Sequence, residues 1–420
     1  MRVIRYPSPE FDRLAAASRL TEPAVTRAVT RILDAVRRRG DCALIEFARR
    51  FDRVRLGPRS LRVGARELRA ARVDAALERA ARRTLREVTA FARASLPRSW
   101  RARNGHGAVV GEKFDPLERV GVYVPGGQAP LVSTVFMTAA LARTAGVAEI
   151  VACTPPPVSP AILWALRLCG VREVFRVGGA QAIAAMAYGT QAIRPVDKVF
   201  GPGSVWVTEA KRQVFGVVGV DLLAGPSELM VLADATVNPE WAAADLLAQA
   251  EHGTGKERIF CVGSSQAVLR TIRDAVEERM RAWPAHCSLR AVLSRNAAWI
   301  LARTPEAMAR AANRIAPEHL QVMTRDAEGL LRRLRTAGGV FLGNWTPTVL
   351  GDFVAGSSHT LPTGGAGRSF SGLRAADFMR RTSVTRYDRR ALALAAEGVR
   401  AFSRVESLPA HGASLEARFA

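Results

Sequence analysis

In the middle of the chain, short apolar runs typical of buried strands alternate with segments of helical periodicity. Between residues 119 and 226, short apolar runs that end in glycine- or proline-rich turns alternate with helical segments of roughly a dozen residues. The predicted strands are RVGVY, EIVAC, EVFRV and DKVF, and the predicted helices are STVFMTAALARTAG, PAILWALRLCG, AQAIAAMAYGT and VTEAKRQVFG. This order is typical of βαβ units, so we predict a doubly wound parallel sheet over residues 120–226.

The same alternation resumes after Pro226, with strands in SELMVLADATV, ERIFCVGSS and GVFLG. We therefore predict a second doubly wound α/β domain, built from residues 227–368 and joined by the helical residues 21–119. Residues 1–20 are predicted to be an N-terminal arm. Residues 369–420 are predicted to form a small helical C-terminal domain.

The amino-acid composition is consistent with the predicted α/β domains. The 420 residues have an ordinary globular balance, and no apolar run is long enough to span a bilayer or to resemble a signal peptide, so we expect a cytoplasmic protein that does not enter membranes. The five cysteines include no CxxC pair, which favours small buried side chains over a disulfide framework. A net charge of +23 keeps nucleic-acid binding open as an alternative, although the arginines are dispersed over amphipathic helices.

The segment AQAEHG offers the first candidate chemistry. Asn238 and Pro239 are typical of a helix start, and near the end of that helix Gln249 and His252 lie three residues apart, on one face of the last turn. Imidazole is the commonest metal ligand, whereas a glutamine oxygen is a weak one. Taken alone, the pair is weak evidence for a metal site, and a surface glutamine with a helix-ending histidine is the more ordinary interpretation.

Three further histidines stand beside acidic residues. His319 follows Glu318, His359 lies seven residues after Asp352 in a polar glycine-rich loop, and His411 lies five residues after Glu406. Two histidines, one aspartate and a weak oxygen donor suit Zn²⁺, and a His–Glu pair suits proton transfer to or from an alcohol. The alternative for each is a structural histidine, and we assign His106 and His286 to that class.

Three strand-end turns are rich in glycine: VPGG at 124–127, VGGAQA at 177–182 and FGPGS at 200–204. In open parallel sheets, ligands bind beyond the carboxyl ends of the strands. No GxGxxG occurs, so the usual dinucleotide pattern is absent. The residues alone thus predict a metal-assisted, general-base enzyme with a cofactor on a parallel sheet.

Ten motifs, in order and spacing, resemble the histidinol dehydrogenase family: GVYVPGG, VGGAQAIAA, DKVFGPG, VTEAKRQV, AGPSE, AQAEHG, PEHL, GDF-AG…H-LPTGG, DFMRRTSV and E-x4-H. The resemblance implies an intertwined homodimer of incomplete Rossmann-like domains with shared active sites. It also implies a zinc-dependent enzyme that oxidises L-histidinol to L-histidine through the aldehyde in two NAD-linked steps, the end of histidine biosynthesis.

Site residues follow from the same resemblance. Zinc ligands matched by motif are Gln249, His252, Asp352 and, from the partner subunit, His411. His319 corresponds to the base that takes the alcohol proton, and Glu318 to the residue that activates the hydrating water. Substrate-contacting positions are matched by Ser227, His359 and Glu406, besides His319 and the four zinc ligands, and NAD-contacting positions by Tyr123 and Gln181.

The chain departs from the family pattern at several positions. Ser204 stands where the family has an NAD-contacting asparagine, Ala316 replaces the glycine of GPEHL, and Ser358 replaces the asparagine before His359. These differences leave open a paralogous zinc- and NAD-dependent dehydrogenase that acts on another small amino alcohol or diol.

Overall fold

The computed structural model describes residues 3–16, 22–126, 130–252, 255–282 and 288–420. The chain divides into two compact units. The large unit contains Met1–Ser95 and Leu117–Phe378, and the small unit contains Leu96–Pro116 and Met379–Ala420.

The strands, in chain order, are β1 (Val3–Arg5), β2 (Trp100–Arg103), β3 (Val109–Pro116), β4 (Arg119–Tyr123), β5 (Glu149–Thr154), β6 (Glu173–Arg176), β7 (Lys198–Phe200), β8 (Gly219–Val220), β9 (Glu228–Ala233), β10 (Arg258–Gly263), β11 (Ala297–Leu301), β12 (His319–Met323), β13 (Gly339–Leu342) and β14 (Met379–Arg386).

The α-helices are α1 (Pro9–Ala15), α2 (Pro23–Arg39), α3 (Asp41–Phe47), α4 (Ala65–Ala70), α5 (Ala75–Ala94), α6 (Val132–Val135), α7 (Leu141–Ala145), α8 (Pro160–Leu168), α9 (Gly179–Tyr188), α10 (Val205–Val214), α11 (Pro239–Ala250), α12 (Gln266–Ala282), α13 (Ser288–Asn296), α14 (Pro305–Ile315), α15 (Ala327–Leu331), α16 (Val349–Phe353), α17 (Arg389–Val405) and α18 (Pro409–Glu416). Short π-helical turns occupy Ala48–Asp52 and Phe136–Ala140, and short 3₁₀ turns occupy Pro58–Ser60, Ala366–Arg368 and Ala375–Phe378.

The first sheet of the large unit has the strand order β6-β5-β4-β7-β8, and every pairing is parallel. Four of its strands follow the predicted apolar runs, whereas the two-residue β8 was not predicted. All five residues of β4 are buried because a central parallel strand is covered on both faces. One face packs on α9 and α10, and α9 contributes a surface rich in alanine. The prediction of a doubly wound sheet over this block is confirmed.

The second sheet has the order β1-β11-β10-β9-β12-β13 and is also parallel throughout. Alternate residues of β9 enter opposite cores: Leu229 and Val231 pack with α11, α12 and α13, whereas Met230 and Leu232 pack with α14. This is the period-2 pattern of a strand covered on both faces. The second predicted doubly wound domain is therefore present as well.

The N-terminal residues are part of this second sheet rather than a free arm. β1 pairs in parallel with β11 as an edge strand, and Phe11 of α1 is buried in the core beside β9. A strand of three residues is too short to give a sequence pattern, so the prediction of an arm was wrong for the described residues 3–16.

The early helices also pack differently from the prediction. Apolar residues of α2 and α3, such as Val29, Leu33 and Leu44, share one core with α9 and α10 of the first sheet. Placing residues 21–119 with the second sheet was therefore incorrect for these helices. Amphipathic periodicity shows which face of a helix is buried, but it does not show which surface covers that face.

The small unit contains a sheet that the sequence analysis did not predict. Its order is β14-β3-β2, with antiparallel pairing throughout, and the helices α17 and α18 belong to the same unit. Residues 379–386 are a strand and not the predicted helix, and residues 96–116 belong here and not to the large unit. All the residues of β14 are exposed or half-buried, so no apolar run marks it.

The cysteines of the described residues are buried with one exception. Cys153, Cys169 and Cys261 are buried as predicted, but Cys42 is exposed, and Cys287 lies outside the described residues. In the part of the chain that the structure describes, none of the helices is both long and apolar enough to cross a membrane.

Candidate active site

The predicted acid/base pair lies at the amino edge of the second sheet, where β9 and β12 are neighbours. The Ser227 hydroxyl donates to Glu318 Oε2 at 2.7 Å, and the Glu228 backbone N–H donates to the same oxygen at 2.9 Å. Glu318 and His319 are 6% and 3% exposed. Two donors on one buried oxygen fix the orientation of the Glu318 carboxylate.

The imidazole of His319 is oriented by the same strand pair. Its Nδ1 lies 3.1 Å from the carbonyl oxygen of Glu228, and 3.5 Å from Glu318 Oε2. A carbonyl can only accept, so Nδ1 carries the proton of this hydrogen bond. Nε2 is then the nitrogen left for chemistry, and it faces Asp352 Oδ1 at 3.9 Å.

Charges around His319 favour its protonated form. Burial by itself lowers the pKa of His319, but the neighbouring Glu318 and Asp352 carboxylates and the Glu228 carbonyl together raise it to about 9. A bound cation that neutralised Asp352 would remove one of these interactions and favour the neutral imidazole.

Asp352 and His359 belong to the same cluster, although they lie on α16 and on the loop after it. His359 is surrounded by Asp352, His319 and Glu318, and its pKa is lowered chiefly by burial. The Asp352 and Glu318 carboxylates oppose that lowering, whereas His319 adds to it. The structure thus brings together four of the predicted residues, Glu318, His319, Asp352 and His359, with Ser227 as a fifth.

Gln249 lies in the last turn of α11, and His252 lies two residues after the helix ends. The predicted cap is confirmed, since the Asn238 side chain accepts from the N–H groups of residues 240 and 241. Gln249 is 3% exposed, yet its Nε2 has no hydrogen-bond partner among the described residues. His252 lies beyond the last helical residue and is exposed. The predicted helix-ending Gly253 lies outside the described residues.

The side chains of the predicted zinc ligands have the chemistry that a metal ion requires. Among the described residues, no group of three His, Cys, Asp or Glu side chains could hold a metal by itself. The predicted zinc ligands would not form such a group, because they include the amide of Gln249 and His411 of the partner subunit besides His252 and Asp352. An amide oxygen, an exposed imidazole and a carboxylate are the donor types that suit Zn²⁺.

Glu406 and His411 lie in the small unit. Glu406 ends α17, His411 lies in the first turns of α18, and both are exposed. Their predicted roles toward a partner subunit remain predictions.

The predicted NAD-contacting residues collect at the carboxyl edge of the first sheet. Tyr123 ends β4, and its buried hydroxyl accepts the N–H of Gly179 at 3.1 Å, while burial raises its pKa to about 12. Gln181 is buried in the first turn of α9, and Ser204 precedes α10 with its side chain exposed. Helix N-termini at this edge favour a bound anion.

Sequence reasoning missed Glu228, which supports the acid/base pair. Its carbonyl accepts from His319, and its own buried carboxylate accepts from Arg258 Nη1 at 2.9 Å and from the Gly364 N–H at 3.1 Å. Burial raises the pKa of Glu228, while Arg258 opposes that shift. An acidic residue at the start of an otherwise apolar run was the available signal.

Two of the departures from the family pattern lie beside this cluster. Ala316, which replaces a glycine, ends α14 with a φ of +54°, a backbone conformation that is strained for alanine. Ser358 accepts from the Thr360 N–H at 3.2 Å and donates to the Met137 carbonyl at 3.3 Å. Serine therefore still anchors the loop that carries His359.

Comparison with known proteins identifies the family. The model of the histidinol dehydrogenase family matches residues 16–419. The chain belongs to the histidinol dehydrogenase family. It is 42% identical over 418 residues to histidinol dehydrogenase of Cereibacter sphaeroides, covering 97% of this chain and 95% of that protein, and 38% identical over 424 residues to that of Heliobacterium mobile, covering 100% and 99%.

A solved structure agrees with the sequence relatives. The crystal structure of histidinol dehydrogenase from Elizabethkingia anophelis superimposes with a TM-score of 0.95 at 31% identity, covering 100% of this chain and 98% of that one. The resemblance inferred from the motifs is confirmed, as is the α/β fold class. The chain is therefore an oxidoreductase of the histidinol dehydrogenase family.

Proposed function

We propose that this chain oxidises L-histidinol to L-histidine in two NAD-linked steps through the aldehyde, as the last reaction of histidine biosynthesis. The observation that carries the proposal is the Glu318–His319 pair, held in one orientation by Ser227 and Glu228 within a chain that matches the family over nearly its whole length.

His319 is suited to accept the hydroxyl proton. With Nδ1 committed to the Glu228 carbonyl, Nε2 is the nitrogen directed toward Asp352 and away from β9. In each oxidation a hydride leaves the substrate carbon for NAD⁺ and the hydroxyl proton goes to a base. Nε2 of a neutral His319 can take that proton.

Glu318 is suited to the hydration between the two oxidations. Water must add to the aldehyde before the second hydride leaves, and the carboxylate can accept a proton from that water. Oε2 of Glu318 is already bonded to Ser227 and Glu228, so Oε1 is the oxygen left to do so. In this arrangement Ser227 positions Glu318, in addition to any contact with substrate.

Gln249, His252 and Asp352, with His411 of the partner subunit, would hold Zn²⁺. When bound, the ion supplies a positive charge that orients the amino alcohol and polarises its oxygen. The carboxylate of Asp352, which lies beside the acid/base pair, supports this assignment.

NAD would bind at the carboxyl edge of the first sheet. Tyr123, Gln181 and Ser204 come from the ends of three different strand–helix connections at that edge, where the order of the strands reverses. This is the position at which ligands bind in open α/β sheets.

The protein is further proposed to act as a homodimer with shared sites. On α17 of the small unit, Leu394, Phe402 and Val405 are 61%, 68% and 83% exposed, and helical spacing puts them on one face. An apolar face of this kind marks a protein-binding surface, which a second copy of the chain would cover.

NADH formation from L-histidinol, by purified protein before and after chelation, tests the proposal. We expect turnover that is lost on chelation and recovered with Zn²⁺. Absence of NADH from zinc-loaded protein at saturating L-histidinol and NAD would contradict the proposed function.

A second candidate function rests on the departures at Ser204, Ala316 and Ser358. A paralogue acting on another small amino alcohol or diol would still require zinc and NAD, but it would not rescue a histidine auxotroph. Comparing L-histidinol with other amino alcohols in the same NADH assay separates the two functions.

A further inference from the structure

The second sheet has an edge that the proposed function does not use. The acid/base residues lie at the amino ends of β9 and β12, whereas a cavity of about 340 Å³ lies at the carboxyl ends of the same two strands. Five residues of β12 separate the two edges, a length of about 13 Å at 3.3 Å per residue. The cavity is therefore distinct from the candidate active site.

The strand order makes this cavity a natural binding position. In the second sheet the order β11-β10-β9-β12-β13 reverses between β9 and β12, and in the first sheet the order β6-β5-β4-β7-β8 reverses in the same way between β4 and β7. Ligands of open α/β sheets bind in the crevice at such a reversal. The first crevice carries the proposed NAD contacts, and the second has no assigned ligand.

The cavity walls come from three connections of the sheet. Asp234 follows β9, Ser264 follows β10, and Thr324 and Arg325 follow β12. The volume is at the lower end of the range for small-molecule sites, which is about 300–1,000 Å³, so a dinucleotide would not fit. No glycine-rich turn follows β9, where the sequence continues DATVNP.

The acidic groups of the wall are already engaged. The Asp234 carboxylate accepts two backbone N–H groups and a threonine hydroxyl, and Asp326 caps α15. Glu306 forms an ion pair with Arg333. These carboxylates are neutralised or hydrogen-bonded within the protein, which reduces their repulsion of a bound anion.

Two arginines of the wall are less engaged. Among the described residues, the guanidinium groups of Arg325 and Arg332 make neither a hydrogen bond nor an ion pair, although both line the cavity and the charge of Arg325 helps to lower the pKa of Asp234. The hydroxyl oxygen of Thr324 is buried there without a hydrogen-bond partner. Guanidinium groups only donate, so this wall is complementary to a group that only accepts.

We propose that this crevice, lined by Thr324, Arg325 and Arg332, binds a small ligand that carries a carboxylate or phosphate group. Both groups accept the fork of an arginine, and both could accept from the Thr324 hydroxyl. The proposal does not depend on the dehydrogenase reaction.

Calorimetric titration of the purified full-length protein tests the proposal, with inorganic phosphate and glutarate as separate probes. We expect one of the probes to bind, and thereby to identify the group, with at least about tenfold weaker binding in Arg325→Ala/Arg332→Ala. Arg335→Ala is the matched control, because Arg335 is exposed nearby but does not line the cavity, and it should bind like the parent protein.

Thr324→Val separates a ligand contact from a structural role. Its hydroxyl makes no hydrogen bond in the protein, so the variant should keep the parent melting temperature while binding the anion several-fold more weakly. Failure of both probes to bind at millimolar concentration, or equal weakening in Arg335→Ala and the double variant, would overturn the proposal.

Discussion

Among single residues, His319 should be the most sensitive to substitution. In His319→Asn the side-chain amide can still donate toward the Glu228 carbonyl, but no basic nitrogen remains at the position of Nε2. We expect kcat to fall by about a hundredfold or more, as for loss of a general base, while zinc content stays near normal.

Elemental analysis and steady-state kinetics on the same preparation check this expectation. The exposed His106, on a turn of the small unit, provides the control, and His106→Asn should leave both quantities unchanged. Loss of the metal from His319→Asn would show that His319 is a ligand and not a base.

The opposite pattern is expected for His252. His252→Ala removes an exposed imidazole that packs in no core, so folding should be unaffected while zinc is lost, and turnover with it. Zinc content and melting temperature in metal-free buffer measure the two effects separately. Full zinc occupancy in His252→Ala would remove this histidine from the ligand set.

Some residues of the candidate site could be predicted from the sequence, but the hydrogen bonds that orient them could not. The Glu318–His319 pair and Asp352 follow from motifs, because each stands in a short run with its own signature. The bonds that orient the pair come from Ser227 and Glu228, about ninety positions earlier in the chain. They exist because β9 and β12 are neighbours, and that strand order is a property of the whole sheet.

At the scale of elements, a buried ion pair fixes the turn after β7. Lys211 of α10 donates to the Gly201 carbonyl and pairs with Asp221, whose other oxygen accepts the Gly201 N–H at 2.7 Å. Gly201 has a φ of +110°, and a side chain there would meet the Tyr123 carbonyl. The pair therefore holds the turn that leads to Ser204.

Breaking this pair should affect both stability and the cofactor. In Asp221→Asn the Lys211 charge stays buried without its counter-charge, which typically costs about 3–5 kcal/mol of unfolding free energy. We expect the KM for NAD to rise more than the KM for the amino alcohol. The exposed pair Arg82–Glu78 is the control, and Glu78→Gln should cost less than about 1 kcal/mol. Equal changes in the two KM values would argue against a role in placing NAD.

A second contact between elements gives a pH dependence. Asp245 of α11 is 7% exposed, and burial raises its pKa from 3.8 to about 6 against the opposing effect of Gln321 of β12. The folded protein thus binds this proton more tightly than the unfolded chain does, so stability falls as pH rises from about 4 to about 6.

Asp245→Asn should abolish that loss because asparagine does not ionise. Relative to the parent, the variant should gain about 1–3 kcal/mol above pH 6 and almost nothing below pH 4. Denaturant unfolding at both pH values measures the gain, with the exposed Asp274→Asn as control. A gain that is the same at the two pH values would rule out the ionisation of Asp245 as its cause.

Elements also differ in how well the sequence predicted them. Most strands and helices between residues 119 and 263 were predicted, because buried parallel strands form continuous apolar runs, but the two-residue β8 was not. β14 was predicted as a helix, since it lacks such a run and pairs with β3 across more than 260 residues of chain. Likewise, nothing local in α2 indicates that its apolar face covers the first sheet.

At the scale of the whole molecule, the proposed active site combines residues of two protomers. The resemblance assigns His411 to the partner's site, and His411 is exposed on α18 of the small unit. Protomers carrying His411→Ala and His319→Asn are each expected to be inactive as homodimers. In a heterodimer, one site would combine the intact His319 of the first protomer with the intact His411 of the second.

Co-expression of the two variants should therefore restore about a quarter of the parent activity, because half of randomly assembled dimers are heterodimers with one intact site each. Co-expression of His319→Asn with Asp352→Ala is the matched control. Both of these residues belong to the cluster at the amino edge of one protomer's sheet, so neither site of that heterodimer is intact and no activity should return. If His411→Ala behaved like this control, each protomer would have to supply its own His411, and the shared site would be wrong.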